Sequence, residues 1–241
     1  MQMSLDRPFD SAPALLGRSA RVFFARLPFL ATVTLAVFLP GKLLAQFLCW
    51  AMDLPPEGVA SYLMMDFSDL VLGSLAIPAA IYGLTSGKAV VESLRYGQRL
   101  WGRMFWAKFK VEITVTLYAL LLFIPGLIAM AKLALTDTIV AMEGEREPDP
   151  LGKSIELTAG RRWRVFFVVA PLALFDLIGS FFLLGAVPGA AHSRWMLAVV
   201  DSLWAVVGMW STVAGLMMYL GTIPKRASEV AGPLRNARQR R

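Results

Sequence analysis

The chain has 241 residues, 57% of them hydrophobic and only 17% charged, with 24 Lys and Arg against 17 Asp and Glu for a net charge of +7. Soluble chains are typically about 45–50% apolar and about 25% charged, so this one lacks the polar residues to cover a folded surface in water. A soluble enzyme, a disordered chain and a disulfide scaffold are all disfavoured.

Residues 1–27 carry Asp6, Arg7, Asp10, Arg18, Arg21 and Arg26 ahead of a long apolar run. A cleaved signal peptide has an apolar region of about 7–15 residues ending at small side chains. The pattern is therefore read as a cytoplasmic interfacial segment followed by an uncleaved first span. A helix of about 20 apolar residues crosses the roughly 30 Å hydrocarbon core. That length predicts six spans within a membrane domain over 28–222, at 28–50, 69–87, 108–124, 126–142, 164–187 and 195–222, and then a basic tail over 223–241. Runs such as Leu120 to Ile128 are apolar on every side, unlike the period-two strands of an outer-membrane barrel. The expected fold is all-α, a polytopic transmembrane helical bundle.

The charges give the expected direction. Of the 24 Lys and Arg, 21 fall in the N-terminal segment, the 88–110 and 143–164 loops and the tail; Arg194 alone falls on the other side, and Lys42 and Lys132 lie inside spans. Cytoplasmic loops are enriched in Lys and Arg, so both termini are expected in the cytoplasm.

Three stretches share one layout, a basic and aromatic approach, an apolar run and then Pro-Gly. They end at Pro40-Gly41, Pro125-Gly126 and Pro188-Gly189. Proline interrupts helical hydrogen bonding and glycine permits reversal, so these dipeptides are read as hairpin turns or kinks, and the layout as three helical hairpin repeats over 11–87, 88–149 and 150–222. The approaches are expected to be interfacial amphipathic helices, one over 89–106 and one over 150–167. Arg95, Arg99, Trp101 and Arg103 in the first, with Arg161, Arg162, Trp163 and Arg164 at the end of the second, are the candidate lipid contacts. Anionic lipid is the expected partner of this face. Nucleic acid is not, because no aromatic-basic binding fold accompanies the charges. A protein partner or a second copy of the chain is left open.

From Phe123 to Phe167 the order is distinctive: Phe-Ile-Pro-Gly, a short span, Glu143-Gly144, Ser154-Ile155-Glu156-Leu157-Thr158, Gly160, then Arg161-Arg162-Trp163-Arg164-Val165-Phe166. This resembles the bacterial glycerophosphoryl diester phosphodiesterase membrane-domain family and related six-span membrane proteins. The likeness covers about 45 residues; the rest follows only in hydropathy and span count. The acidic 143–149 stretch, Lys132 and Asp137 depart from the pattern. The resemblance implies a bacterial inner-membrane architecture and transfers no catalytic residues. In the relatives that gave the family its name, catalysis belongs to a separate soluble domain, which is not expected in the roughly 20 residues given after the sixth span.

No enzyme activity, cofactor or metal is expected. Cys49 is the single cysteine, and the lone His192 stands in a Gly/Ala/Pro-flanked segment. Gly152-Lys153-Ser154 lacks the earlier glycine and the strand of a phosphate-binding loop. The informative residues are Lys42, Lys132, Asp137, Asp176 and Asp201, ionisable groups inside spans, each costing about 2.5–3.5 kcal/mol at a helix centre. They form the candidate intramembrane polar site, whose simpler reading is a set of interhelical ion pairs; Glu112, near a predicted cytoplasmic end, is read as interfacial. Gly83 with Gly87, and Ser211 with Gly215, are read as small-residue helix contacts. The expected role is a lipid-interacting or envelope-maintenance scaffold, the alternative a small transporter component using the intramembrane carboxylates.

Overall fold

A computed structural model describes residues 11–55, 58–186 and 194–222, and among these the secondary structure is helical with no strand. Helix α1 (Ala12–Ala25) buries Leu15, Ser19 and Phe23, spaced four apart and so on one face, against two helices near the end of the chain. The chain breaks at Arg26 and resumes with Pro28 in the first turn of α2 (Leu27–Ala51), where a missing N–H costs nothing. Helix α3 (Val59–Ser86) stops at Gly87, whose φ of 66° is the left-handed conformation that glycine adopts freely. Gly87 is thus a helix stop. Its expected partner Gly83 lies under Phe29 of α2, at a place where a Cβ would collide with the ring.

Helix α4 (Val90–Leu121) is a single 32-residue helix. It merges the expected interfacial helix over 89–106 with the expected span over 108–124. Its first half buries Ser93, Gly97, Leu100, Met104 and Ala107, a stripe of mostly small side chains turned onto α3. A Cβ on Gly97 would overlap the Leu75 carbonyl, so glycine there lets the two backbones meet. The small-residue face of this half is thus packed against protein, while Arg95, Arg99, Trp101 and Trp106 stay exposed.

The chain reverses at Leu122, which is extended. Helix α5 (Phe123–Leu133) starts directly after it, so Pro125 sits in a first turn and Gly126 presses against Ala119 of α4. This Pro-Gly does mark a hairpin. Pro40 lies inside the continuous α2, where Gly41 instead gives room to Leu72 of α3. Pro188 and Gly189 lie outside the described residues. The threefold repeat thus reduces to one hairpin and one helix-internal proline among the described residues.

After a break at residues 134–135 comes α6 (Thr136–Glu143), a 3-10 turn (Gly144–Arg146), α7 (Pro150–Thr158), α8 (Arg162–Ala186) and α9 (Arg194–Thr222). Four segments are long and apolar enough to cross a membrane: Leu27–Ala51, Val59–Ser86, Ile124–Arg146 and Arg194–Thr222. The second begins ten residues before the expected 69. The protein is a membrane-integral helical bundle. Two apolar clusters hold it together. One, around Phe23, Leu30, Val37, Ala76 and Val213, joins α1, α2, α3 and α9; the other, around Met104, Leu135, Ile139, Val168 and Leu216, joins α4, α5, α6, α8 and α9.

Candidate functional site: a charged cavity beside a broken helix

The break between α5 and α6 organises the second half of the molecule. A helix end leaves carbonyls without partners and a helix start leaves N–H groups without them. Both needs are met from α7. Ser154 Oγ donates to the Lys132 carbonyl at 2.8 Å and accepts from the Leu135 N–H at 3.2 Å, and Thr158 Oγ1, which shares its proton with the Ser154 carbonyl at 2.8 Å, reaches the same Lys132 carbonyl at 3.3 Å. Residues four apart share a helix face, so the two hydroxyls of α7 reach one place. The face that α7 buries is Pro150, Ser154 and Thr158, and Ile155 is left exposed.

The neighbouring residues serve the same joint. Glu143, buried at the end of α6, accepts from the Tyr219 hydroxyl of α9 and from Lys153 of α7. Gly144 follows with φ 54° and Gly160 precedes α8 with φ 72°, both left-handed. Asp149 caps α7 by accepting the Gly152 N–H at 3.0 Å. Lys153 also meets Glu147 at 2.7 Å. Partial burial draws the Lys153 pKa down, but its hydrogen bonds to Glu143 and Glu147 outweigh this and the net shift is upward. The same ammonium holds the Glu147 carboxyl below its usual value. Gly152, Lys153 and Ser154 are thus all engaged in docking α7.

Beside the break lies a cavity of about 420 Å³, walled by α4, α5, α6, α8 and α9 with Ile77 of α3. Most of its lining is aliphatic, yet Lys108, Glu112, Asp137 and Asp176 all face it. Lys108 Nζ reaches Asp137 Oδ2 at 3.3 Å, and Asp176 Oδ1 accepts the Trp204 indole N–H at 2.8 Å. Phe175 lies between two indoles, its ring centre 5.6 Å from that of Trp204 and 6.0 Å from that of Trp210. Gly179 makes room for Trp204, since a Cβ there would run into its ring.

The remaining predicted charges lie elsewhere. Lys42, wholly buried, sits between Asp69 at 2.7 Å and Asp201 at 2.6 Å, joining α2, α3 and α9. Counted at 1.5 Å per residue from Ala51, Val59 and Arg194, the three lie about 10–15 Å from one end of the bundle. At that end Arg194 donates to the Leu54 carbonyl. The five predicted residues therefore divide into Lys42 with Asp201, Asp137 with Asp176, and Lys132. Among the described residues the Lys132 ammonium joins neither group, and its carbonyl carries its role.

Three participants are not among the residues predicted from sequence. Asp69 stands at the edge of an expected span that is too short, Lys108 falls in an expected loop, and Glu112 reads as interfacial. The early start of α3 and the unbroken α4 place all three well within continuous helices. Of the candidate lipid contacts, Arg95, Arg99, Trp101, Arg161, Arg162, Trp163 and Arg164 are exposed and Arg103 is half-buried. Trp101 also donates to the Val71 carbonyl at 3.2 Å.

No family model, curated protein or solved structure matches this chain.

Proposed function

We propose that this chain is a non-enzymatic six-span protein of a bacterial inner membrane, with both termini cytoplasmic, and that it holds a membrane amphiphile in the cavity beside the α5–α6 break. In this reading α4 and α8 are the third and fifth spans and the broken α5–α6 segment is the fourth. Support for the direction comes from the charges: the basic residues of the 88–103 and 146–164 stretches sit at helix ends opposite the Leu122 reversal and Arg194. The observation that carries the role is the cavity itself. Its volume is within the range of small-molecule sites, about 300–1,000 Å³. It combines an aliphatic wall with charged groups, and Glu112, Phe175 and Asp176 are exposed at its mouth. The exposed Arg and Trp residues at the cytoplasmic helix ends would add attraction for anionic headgroups. Native mass spectrometry of the protein extracted in mild detergent tests the role: about one tightly held lipid per chain is expected. Complete delipidation under the same conditions would count against it.

A second reading, a small transporter component, is favoured by one specific observation. A helix breaks where two carboxylates, Asp137 and Asp176, face one cavity, and interrupted helices at a buried polar site are a recurrent arrangement in transporters. Proton or solute flux in reconstituted vesicles that is unchanged by Asp137→Asn and Asp176→Asn together would exclude it.

A further inference from the structure

We infer that the occupant of this cavity carries a cationic head, an alkylammonium-type amphiphile whose head lies against Asp176 and the aromatic wall. The inference rests on the reading of the cavity as an amphiphile site and specifies its chemistry. Of the four ionisable groups facing the cavity, one is a cation and three are carboxylates. The cation is already committed: Lys108 bonds Asp137. On the opposite wall Asp176 meets only the neutral Trp204 N–H among the described residues, leaving a carboxylate without a counter-charge at membrane depth. Phe175 and Trp210 line the same cavity with their ring centres 6.0 Å apart, and aromatic faces attract organic cations most strongly where water is excluded.

Space for the ligand lies next to that carboxylate. Gly208, one turn beyond Trp204 on α9, lines the cavity, and a Cβ built on it would meet nothing within 4 Å. The tail has an apolar exit, because Leu174 and Leu177 on α8 and Ile113 on α4 are exposed beside the open mouth. An anionic head at the same place would face Asp176 and Glu112, with Lys108, the one ammonium among the described lining residues, already paired. The basic outer belt and this cavity therefore select opposite charges.

The test uses the full chain in nanodiscs of zwitterionic lipid, titrated with dodecyltrimethylammonium, dodecyl sulfate or dodecyl maltoside, each with a brominated tail that quenches tryptophan. Saturable quenching by the cation, at about one per chain, is expected, with Asp176→Asn weakening it tenfold or more. Gly208→Leu, which fills the space and keeps every charge, should abolish it. Cation binding unaffected by both variants would overturn the assigned site. Saturable binding of dodecyl sulfate or the maltoside instead, lost in Gly208→Leu, would overturn the cationic head and leave the amphiphile reading standing. An absence of saturable binding by all three probes would overturn both.

Discussion

Replacing Ser154 by alanine should loosen the joint on which the second half of the bundle depends. The hydroxyl makes two contacts at the α5–α6 break, accepting from the Leu135 N–H and donating to the Lys132 carbonyl. The carbonyl keeps the Thr158 hydroxyl at 3.3 Å, so its loss is partial. The Leu135 N–H belongs to a wholly buried residue, and leaving a buried donor without a partner costs about 1–3 kcal/mol. Side-chain hydrogen bonds inside membranes measure lower, about 0.6 kcal/mol on average, because the unfolded state also finds partners there. The expected loss is therefore about 1–2 kcal/mol. Thr158→Val keeps the side-chain shape and leaves the carbonyl with Ser154, so it should cost about 0.5–1 kcal/mol. The double variant removes both hydroxyls from the Lys132 carbonyl and should cost more than the sum of the two singles. Equilibrium unfolding in mixed micelles measures all three. Ser154→Ala within about 0.3 kcal/mol of the parent, or strictly additive singles, would refute the reasoning.

Three other outcomes follow from the same geometry. Lys42→Met leaves the half-exposed Asp69 and Asp201 without their shared ammonium and should destabilise by about 1–3 kcal/mol; the triple variant with Asp69→Asn and Asp201→Asn should recover most of that, and no recovery would refute the pairing. Lys153→Met should give a stability difference that depends on pH. Glu147, depressed in the folded state, contributes above its usual value of 4.5, and this is lost as pH falls through its folded value. Lys153, raised in the folded state, contributes below its usual value of 10.5, and this is lost as pH rises through its folded value. The difference from the parent, followed by thermal unfolding, should be level from about pH 5 to 10 and shrink at both ends. A difference that grows toward low pH would contradict the clamp. Finally, single cysteines at Asp149 and Asp53 in a Cys49→Ser background should be labelled from opposite faces of sealed vesicles, Asp149 from the cytoplasmic face; labelling of both from one face would overturn the six-span direction.

Much of the bundle is legible in the sequence because membrane helices carry their signal in bulk hydropathy. The apolar runs of α2, α5 with α6, α8 and α9 fall nearly where hydropathy puts them. Helix α4 is misdivided for a physical reason. Its first half is polar by composition, yet it packs through Ser93 and Gly97, and burial of small residues leaves little trace in hydropathy. Asp66, Ser68 and Asp69 interrupt the apolar run and so hide the early start of α3. Dividing α4 in two puts Lys108 and Glu112 at an element boundary, whereas they lie well inside one continuous helix. Glu143-Gly144 and the Ser154–Gly160 motif stand out in the sequence, but what they do there does not. Two hydroxyls four residues apart become a cap only once α7 lies against a break that no local pattern announces. Asp137 and Asp176 are recognisable as costly and therefore meaningful. Their meeting at one cavity depends on how α6 and α8 pack, which one-dimensional spacing does not contain.

The central claim is that the cavity beside the α5–α6 break is occupied by a membrane amphiphile. Photo-cross-linking in nanodiscs doped with a lipid bearing a photoreactive acyl tail tests it most directly. The account predicts adducts concentrated at Val207, Ser211 and Thr212 of α9 and at Ala173 of α8, and their disappearance in Gly208→Leu. Adducts confined to the exposed outer faces, such as Leu44 and Phe47 of α2, with no change in that variant, would contradict it.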